Sequence, residues 1–190
     1  FCMGMIRAGL SEAWLVVDDR FIRRYGLGLV LPGGRGLRRL LRQGYLHRAG
    51  DLATLAGRTG VDAAGLAASV AAANGFARTG MDSDFGRGSS VMSRFNGDPA
   101  VQPNPCLGPI ARAPFYALRV VAVDLAGSGG LACDAESRVL TPEGQPIPGL
   151  FACGNDAASM FRGTYPGPGT TIGPAMVMGW RIARQLAETT

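Results

Sequence analysis

The 190-residue chain carries 19 arginines and no lysine against 14 acidic residues, a formal net charge of +5 with a single histidine. An apolar fraction of 47 % and a charged fraction of 17 % suit a globular chain of one or two domains and exclude a disordered one. The charge invites a nucleic-acid reading, but the arginines are scattered except for Arg35, Arg38, Arg39 and Arg42. No aromatic residues interleave with them to stack bases, so a solvated helix face is expected and nucleic acid is not.

No run approaches the roughly 20 apolar residues of a membrane span, and no signal-peptide pattern opens the chain. The first residue is Phe1, and an upstream portion is expected. Cys2, Cys106, Cys133 and Cys153 lack Cys-x-x-Cys spacing, and one histidine gives no zinc set. Reduced thiols, a cytoplasmic location and no metal are expected.

Residues 1–50 are the least readable. Val16-Val17-Asp18-Asp19-Arg20 suggests a strand running into a turn or helix. Gly34-x-Gly36-x-x-Arg39 lacks the third glycine of a dinucleotide fingerprint, and no βαβ pattern surrounds it. It reads as a loop before an Arg-rich helix. Asp51 is placed to cap a helix through Arg58, and Asp62 a second over Ala63–Phe76, with Leu66, Ser69, Val70 and Ala73 inward. Asp82 and Asp84 alternate in a glycine-bounded loop, but the bidentate Glu of a calcium loop is missing. That loop reads as structural, with Arg87 paired to a carboxylate. Pro114–Val123 reads as a strand. Leu131–Asp134 and Arg138–Leu140 suggest a hairpin, and Thr141–Gly144 a turn.

The most informative stretch closes the chain. A strand, Gly149-Leu150-Phe151-Ala152-Cys153-Gly154-Asn155, leads to Thr164-Tyr165-Pro166-Gly167-Pro168-Gly169-Thr170-Thr171-Ile172-Gly173-Pro174. Glycine lets backbone approach a ligand, proline stiffens the loop, and Pro174 suits a helical first turn. Ala175–Glu188 has the periodicity of a helix, with Ile172, Ala175, Met176, Gly179, Ile182, Ala183 and Leu186 on one face. A rigid loop thus presents N–H groups at the positive end of a helix, beside the phenol of Tyr165. An ordinary Pro/Gly turn before a terminal helix is the plain alternative.

Strand, Gly-Asn, glycine loop and helix together resemble the FAD-closing segment of the fumarate reductase/succinate dehydrogenase-like flavoproteins. Asn155-x-Ala157-Ala158-Ser159, Thr164-Tyr165-Pro166-Gly167-x-Gly169 and Thr171-Ile172-Gly173-Pro174 are most similar to the 3-ketosteroid Δ1-dehydrogenases. The similarity runs from about Gly50 to the end and also covers Ser128-Gly129-Gly130-Leu131. It implies an α+β to α/β fold: residues 1–126 the C-terminal part of a substrate domain, and 127–190 the closing strand–loop–helix of a Rossmann-like FAD domain.

In such enzymes a hydride passes from steroid C1 to the flavin and a tyrosine takes a proton from C2. The resemblance implies that Tyr165 and the Gly169 N–H hold the C3 carbonyl. It implies FAD contacts from Gly154, Asn155, Ala158, Thr170, Thr171, Ile172, Gly173, Gly129 and Gly130. The fingerprint that binds the ADP half of FAD and the proton-abstracting tyrosine are absent from the chain, and Tyr25, Tyr45 and Tyr116 do not match the latter's motif. Expected partners are a steroid-like small molecule, an electron acceptor the sequence does not identify, the upstream half of the same enzyme and, peripherally, a membrane. Alone, the chain is expected to bind FAD poorly, remain colourless and turn nothing over. Alternatives are a Δ4-ketosteroid dehydrogenase, a fumarate reductase, or an Arg-rich non-catalytic binding module.

Overall fold

The computed structural model describes residues 2–123 and 126–188, which fall into two compact units, Phe1–Ala122 and Val123–Thr190. In the first unit, helix α1 (Cys2–Arg7) precedes strand β1 (Glu12–Asp18), helix α2 (Asp19–Tyr25) and helix α3 (Leu37–Arg42). Strand β2 (Leu46–Ala49), helices α4 (Leu52–Thr59), α5 (Ala63–Thr79) and α6 (Val91–Phe95), and strand β3 (Phe115–Val121) follow. The strands form one antiparallel sheet in the order β1-β3-β2, with Val17 opposite Tyr116 and Leu46 opposite Leu118.

Alternation along β3 splits the apolar side chains between two faces. Tyr116 and Leu118 join Val17, Ile22, Val30, Leu40 and Leu46 on one side. Ala117 joins Ala49 and Leu55 on the other, flanked by Trp14, Val16 and Phe115. Each fully buried Ile or Leu contributes about 1.5–3 kcal/mol. Asp18 is buried because its carboxylate ties the end of β1 to a distant loop. It accepts from Phe21 N–H (2.9 Å) as the cap of α2, and from Ala111 and Arg112 N–H (3.1 and 3.0 Å).

The caps expected from Asp51 and Asp62 form, each accepting a backbone N–H, from Thr54 and Gly65 respectively. Helix α5 continues three residues past Phe76 to Thr79, and Gly80 at φ 75° ends it. Asn74 lies within the helix, and its amide brackets Ile110, donating to the carbonyl and accepting the N–H. On the predicted inward stripe Val70 is buried but Ser69 is exposed, and Ala77 completes the buried face. Arg35, Arg38, Arg39 and Arg42 are all exposed around α3.

The second unit holds strands β4 (Arg138–Leu140) and β5 (Pro146–Phe151), a 3-10 turn at Gly154–Asp156, and helix α7 (Ile172–Glu188). Strand β4 pairs antiparallel with β5, and Cys133 bridges Val139. The predicted strand over 149–155 is therefore shifted: it ends at Phe151 and Gly154-Asn155 turn out of it. Helix α7 starts three residues before Ala175, which keeps Pro174 in the first turn. Its inward face is a correction: Ala175, Met178, Gly179, Ile182 and Gln185 are half-buried, whereas Ile172, Met176, Ala183 and Leu186 are exposed. Met178, with no place in the predicted stripe, packs on Val139, Ala152 and Ala157. No helix among the described residues is long and apolar enough to cross a membrane.

Candidate functional site

Non-local backbone bonds build the second unit's cavity. Leu131 N–H donates to Asp156 O (2.8 Å), Ala158 N–H to Leu131 O (2.9 Å) and Ser159 N–H to Ser128 O (3.0 Å). Segment 128–131 thus lies along segment 156–159 through a parallel bridge between Leu131 and Ala157. Gly130 permits that approach, since a Cβ there would meet the Ala157 carbonyl carbon at 2.5 Å. Gly154, at φ 63°, stands close to α7, though less tightly: its Cβ would meet that of Ala175 at 3.1 Å.

These segments and the loop before α7 enclose a cavity of about 330 Å³. Ser128, Gly154, Asn155, Ala158 and Ser159 wall one part; Phe161, Thr164, Tyr165, Thr170 and Thr171 wall another, with Pro174 and Met178 of α7. No lining residue carries a charge. Tyr165 is half exposed, at 54 %. The Thr170 hydroxyl oxygen is buried and has no hydrogen-bond partner among the described residues.

Six of the eleven residues picked from the sequence line this cavity: Gly154, Asn155, Ala158, Tyr165, Thr170 and Thr171. Gly169 immediately precedes the lining, at φ 93°, with open space where a side chain would stand. Ile172 begins α7 and is exposed. The Gly173 N–H donates to Gly169 O at 2.8 Å and is therefore engaged within the loop–helix junction. Gly129 and Gly130 lie outside the lining, Gly130 against the Ala157 backbone. Ser128, Ser159, Phe161, Thr164 and Met178 line the cavity without having been predicted as site residues, although Ser128, Ser159 and Thr164 stand in the motifs that carry the resemblance.

The sequence matches the family described as "FAD binding domain" over residues 3–172. The chain belongs to that family. It is 44 % identical over 176 residues to the 3-oxosteroid 1-dehydrogenase of Mycobacterium tuberculosis (strain ATCC 25618 / H37Rv), covering 93 % of this chain and 31 % of the relative. It is 43 % identical over 175 residues to the 4-oxocyclohex-2-ene-1-carboxylate 5-dehydrogenase of Sinomonas cyclohexanicum, covering 92 % of the chain and 30 % of the relative. Among solved structures, 3-ketosteroid Δ1-dehydrogenase from Sterolibacterium denitrificans matches with a TM-score of 0.91 and 41 % identity, over 99 % of this chain and 34 % of that one. The chain thus spans about a third of the length of these relatives, and its mixed α/β fold is that of an FAD-binding flavoprotein.

The cavity fits the cofactor of the family. A flavin ring is neutral, polar at its edge and apolar on its faces. Hydroxyls and an amide beside Met178 and Phe161 match that character, and the unpartnered Thr170 hydroxyl offers a hydrogen bond that the chain itself leaves unmade.

Proposed function

We propose that this chain is the flavin-closing and carbonyl-polarising part of an FAD-dependent 3-ketosteroid dehydrogenase that introduces the C1–C2 double bond. Residues 1–126 then belong to its substrate domain and 127–190 to its Rossmann-like cofactor domain, with the upstream part of the same enzyme as partner. The observation that carries the reading is that Tyr165 and the flavin-side candidates Asn155, Thr170 and Thr171 wall one cavity. The relatives' names pair a steroid with an oxocyclohexene carboxylate, and a ring ketone is common to both.

FAD, when bound, supplies the hydride acceptor. Asn155 would hydrogen-bond its ribityl or pyrophosphate region, and Thr170 and Thr171, with Gly154, Ala158 and the backbone at Ile172, would hold its flavin. Gly173 serves through the turn it closes onto Gly169, and Gly129 and Gly130 through the strand-like segment they lay against Ala157. Tyr165 O–H and Gly169 N–H donate to the ketone oxygen of the substrate. As negative charge builds on that oxygen both bonds strengthen, which acidifies the adjacent carbon for a base outside this chain. A fumarate reductase would need cations clamping two carboxylates, and the uncharged lining argues against that pair.

Tyr165→Phe in the complete flavoprotein tests the reading. Removing one such donor lowers kcat/KM for a ring ketone by about 100-fold or more. Flavin content should stay unchanged, because the flavin contacts are assigned to other residues of the cavity and the aromatic ring at this position is retained. A loss below about threefold would make Tyr165 a packing residue, since phenylalanine keeps the ring.

A further inference from the structure

We propose that Arg162 is a specificity-determining residue that selects ring ketones carrying a carboxylate. The inference rests on the carbonyl-polarising role proposed above for Tyr165 and replaces the steroid of that reading by a compact ring-ketone acid. Residues Phe161–Thr164 form a tight turn: the Phe161 carbonyl accepts from Thr164 N–H (3.0 Å) and Thr164 Oγ1 (2.6 Å). Both central residues have positive φ, Arg162 at 49° and Gly163 at 82°. That is the pattern of a type I′ turn, which strongly favours Asn-Gly, Asp-Gly or Gly-Gly. An arginine in the first central position is held in a conformation that L residues other than Asn and Asp seldom adopt. Backbone outliers of this kind gather at ligand sites.

The turn stands in the cavity wall. Phe161, Gly163, Thr164 and Tyr165 all line it, and no lining side chain is charged. Arg162 is therefore the cation nearest in sequence to the proposed carbonyl donor. Its side chain is exposed. In the same unit Arg138 pairs with Asp134 and Glu136, and Arg184 with Glu188, whereas Arg162, like Arg181, has no carboxylate partner among the described residues. A guanidinium presents a planar fork that matches a carboxylate. Three residues separate Arg162 from Tyr165, so their Cα atoms are at most about 10 Å apart. Phenol and guanidinium can then bracket a compact ketone acid. This geometry favours a carboxylate close to the reacting ring over one at the far end of a steroid side chain.

The experiment uses the complete flavoprotein, wild type and with Arg162→Gly or Arg162→Asn, both of which accept a left-handed backbone and so preserve the turn. Steady-state rates are measured with 4-oxocyclohexanecarboxylate, its uncharged methyl ester, a 3-ketosteroid bearing a side-chain carboxylate, and a neutral 3-ketosteroid. The wild type should prefer acid over ester by about tenfold or more in kcat/KM, the scale of one charge-assisted hydrogen bond. Both variants should lose that preference, mainly through KM, with the ester rate and flavin content unchanged. Titration with cyclohexanecarboxylate, followed by flavin absorbance, should show binding weakened about tenfold or more in the variants. A preference for the steroid acid over the single-ring acid would overturn the placement of the carboxylate beside the reacting ring.

Equal rates for acid and ester in the wild type, a neutral steroid outrunning both acids, or loss of flavin on substitution would each overturn the proposal. Failure of the carbonyl reading is distinguishable. Tyr165→Phe would then spare acid and ester alike, while the cyclohexanecarboxylate titration still reports on Arg162.

Discussion

Thr170 is the residue whose surroundings ask most plainly for something outside the chain. A buried hydroxyl left without a partner costs about 1–3 kcal/mol, and Thr170 Oγ1 is in that position among the described residues. Thr170→Val keeps the shape and removes the hydroxyl. In the apo form of the complete flavoprotein the variant should melt no lower than wild type, because an unmet polar group has been deleted. If FAD takes up that hydroxyl, as proposed, the variant should lose part of the stabilisation that flavin confers in the FAD-bound form. Melting curves with and without FAD check this, and equal shifts in both forms would leave Thr170 a packing residue. At this scale, Asn155, Tyr165, Thr170 and Thr171 were legible because a contiguous motif carries them. Phe161 was not, and Ser128 was legible only as a neighbour of Gly129 and Gly130, because a bridge between Leu131 and Ala157 brings one wall of the cavity to the other, and no local spacing records that pairing.

The Gly80–Gly88 loop shows what a single carboxylate does for an element without secondary structure. Asp82 Oδ1 accepts from Asp84 and Phe85 N–H, while Oδ2 takes Arg87 N–H and, at 2.5 Å, its guanidinium Nε. The hydrogen bond from Arg87 holds the Asp82 pKa at about 2, against an ordinary 3.8, despite the opposing effect of burial. The sign follows from that depression: ionised Asp82 adds stability above the ordinary value, and the contribution is lost as pH falls through about 2. Asp82→Asn should lower the melting temperature at pH 7 and flatten its decline between about pH 4 and pH 2; parallel curves for the two proteins would refute the pairing. The Arg87 ion pair was readable from the sequence. The buried Asn104 that ties this loop to residue 106 was not: its amide donates to Gly80 and Arg87 carbonyls and accepts from Cys106 N–H. Helix α7 gives the converse lesson. Its periodicity was evident, but apolar residues occupy more than one face, so periodicity alone selected Leu186 and passed over Met178.

Over the whole molecule, the surface is too large for the mass. A 19.7 kDa protein ordinarily exposes about 8,600 Å², and two separate units of this size still only about 10,300 Å². The chain exposes 12,596 Å². Many large apolar side chains are exposed, and on α7 they gather at Ile172, Met176, Val177 and Trp180, all about 60 % exposed or more. Contiguous apolar patches of this kind mark surfaces that are covered in the working protein. The chain spans about a third of its relatives, so the cover expected is the remainder of the flavoprotein itself. Trp180 reports on this directly, because the only other tryptophan, Trp14, is already half-buried against the core. With Trp14→Phe as background, Trp180 in the chain alone should emit near the wavelength of solvated indole and be quenched freely by acrylamide. In the complete flavoprotein its emission should shift to the blue and quenching should fall several-fold. Equal quenching in both would mean that this face of α7 stays open to solvent, and that the apolar excess serves an association with something other than the rest of the same polypeptide.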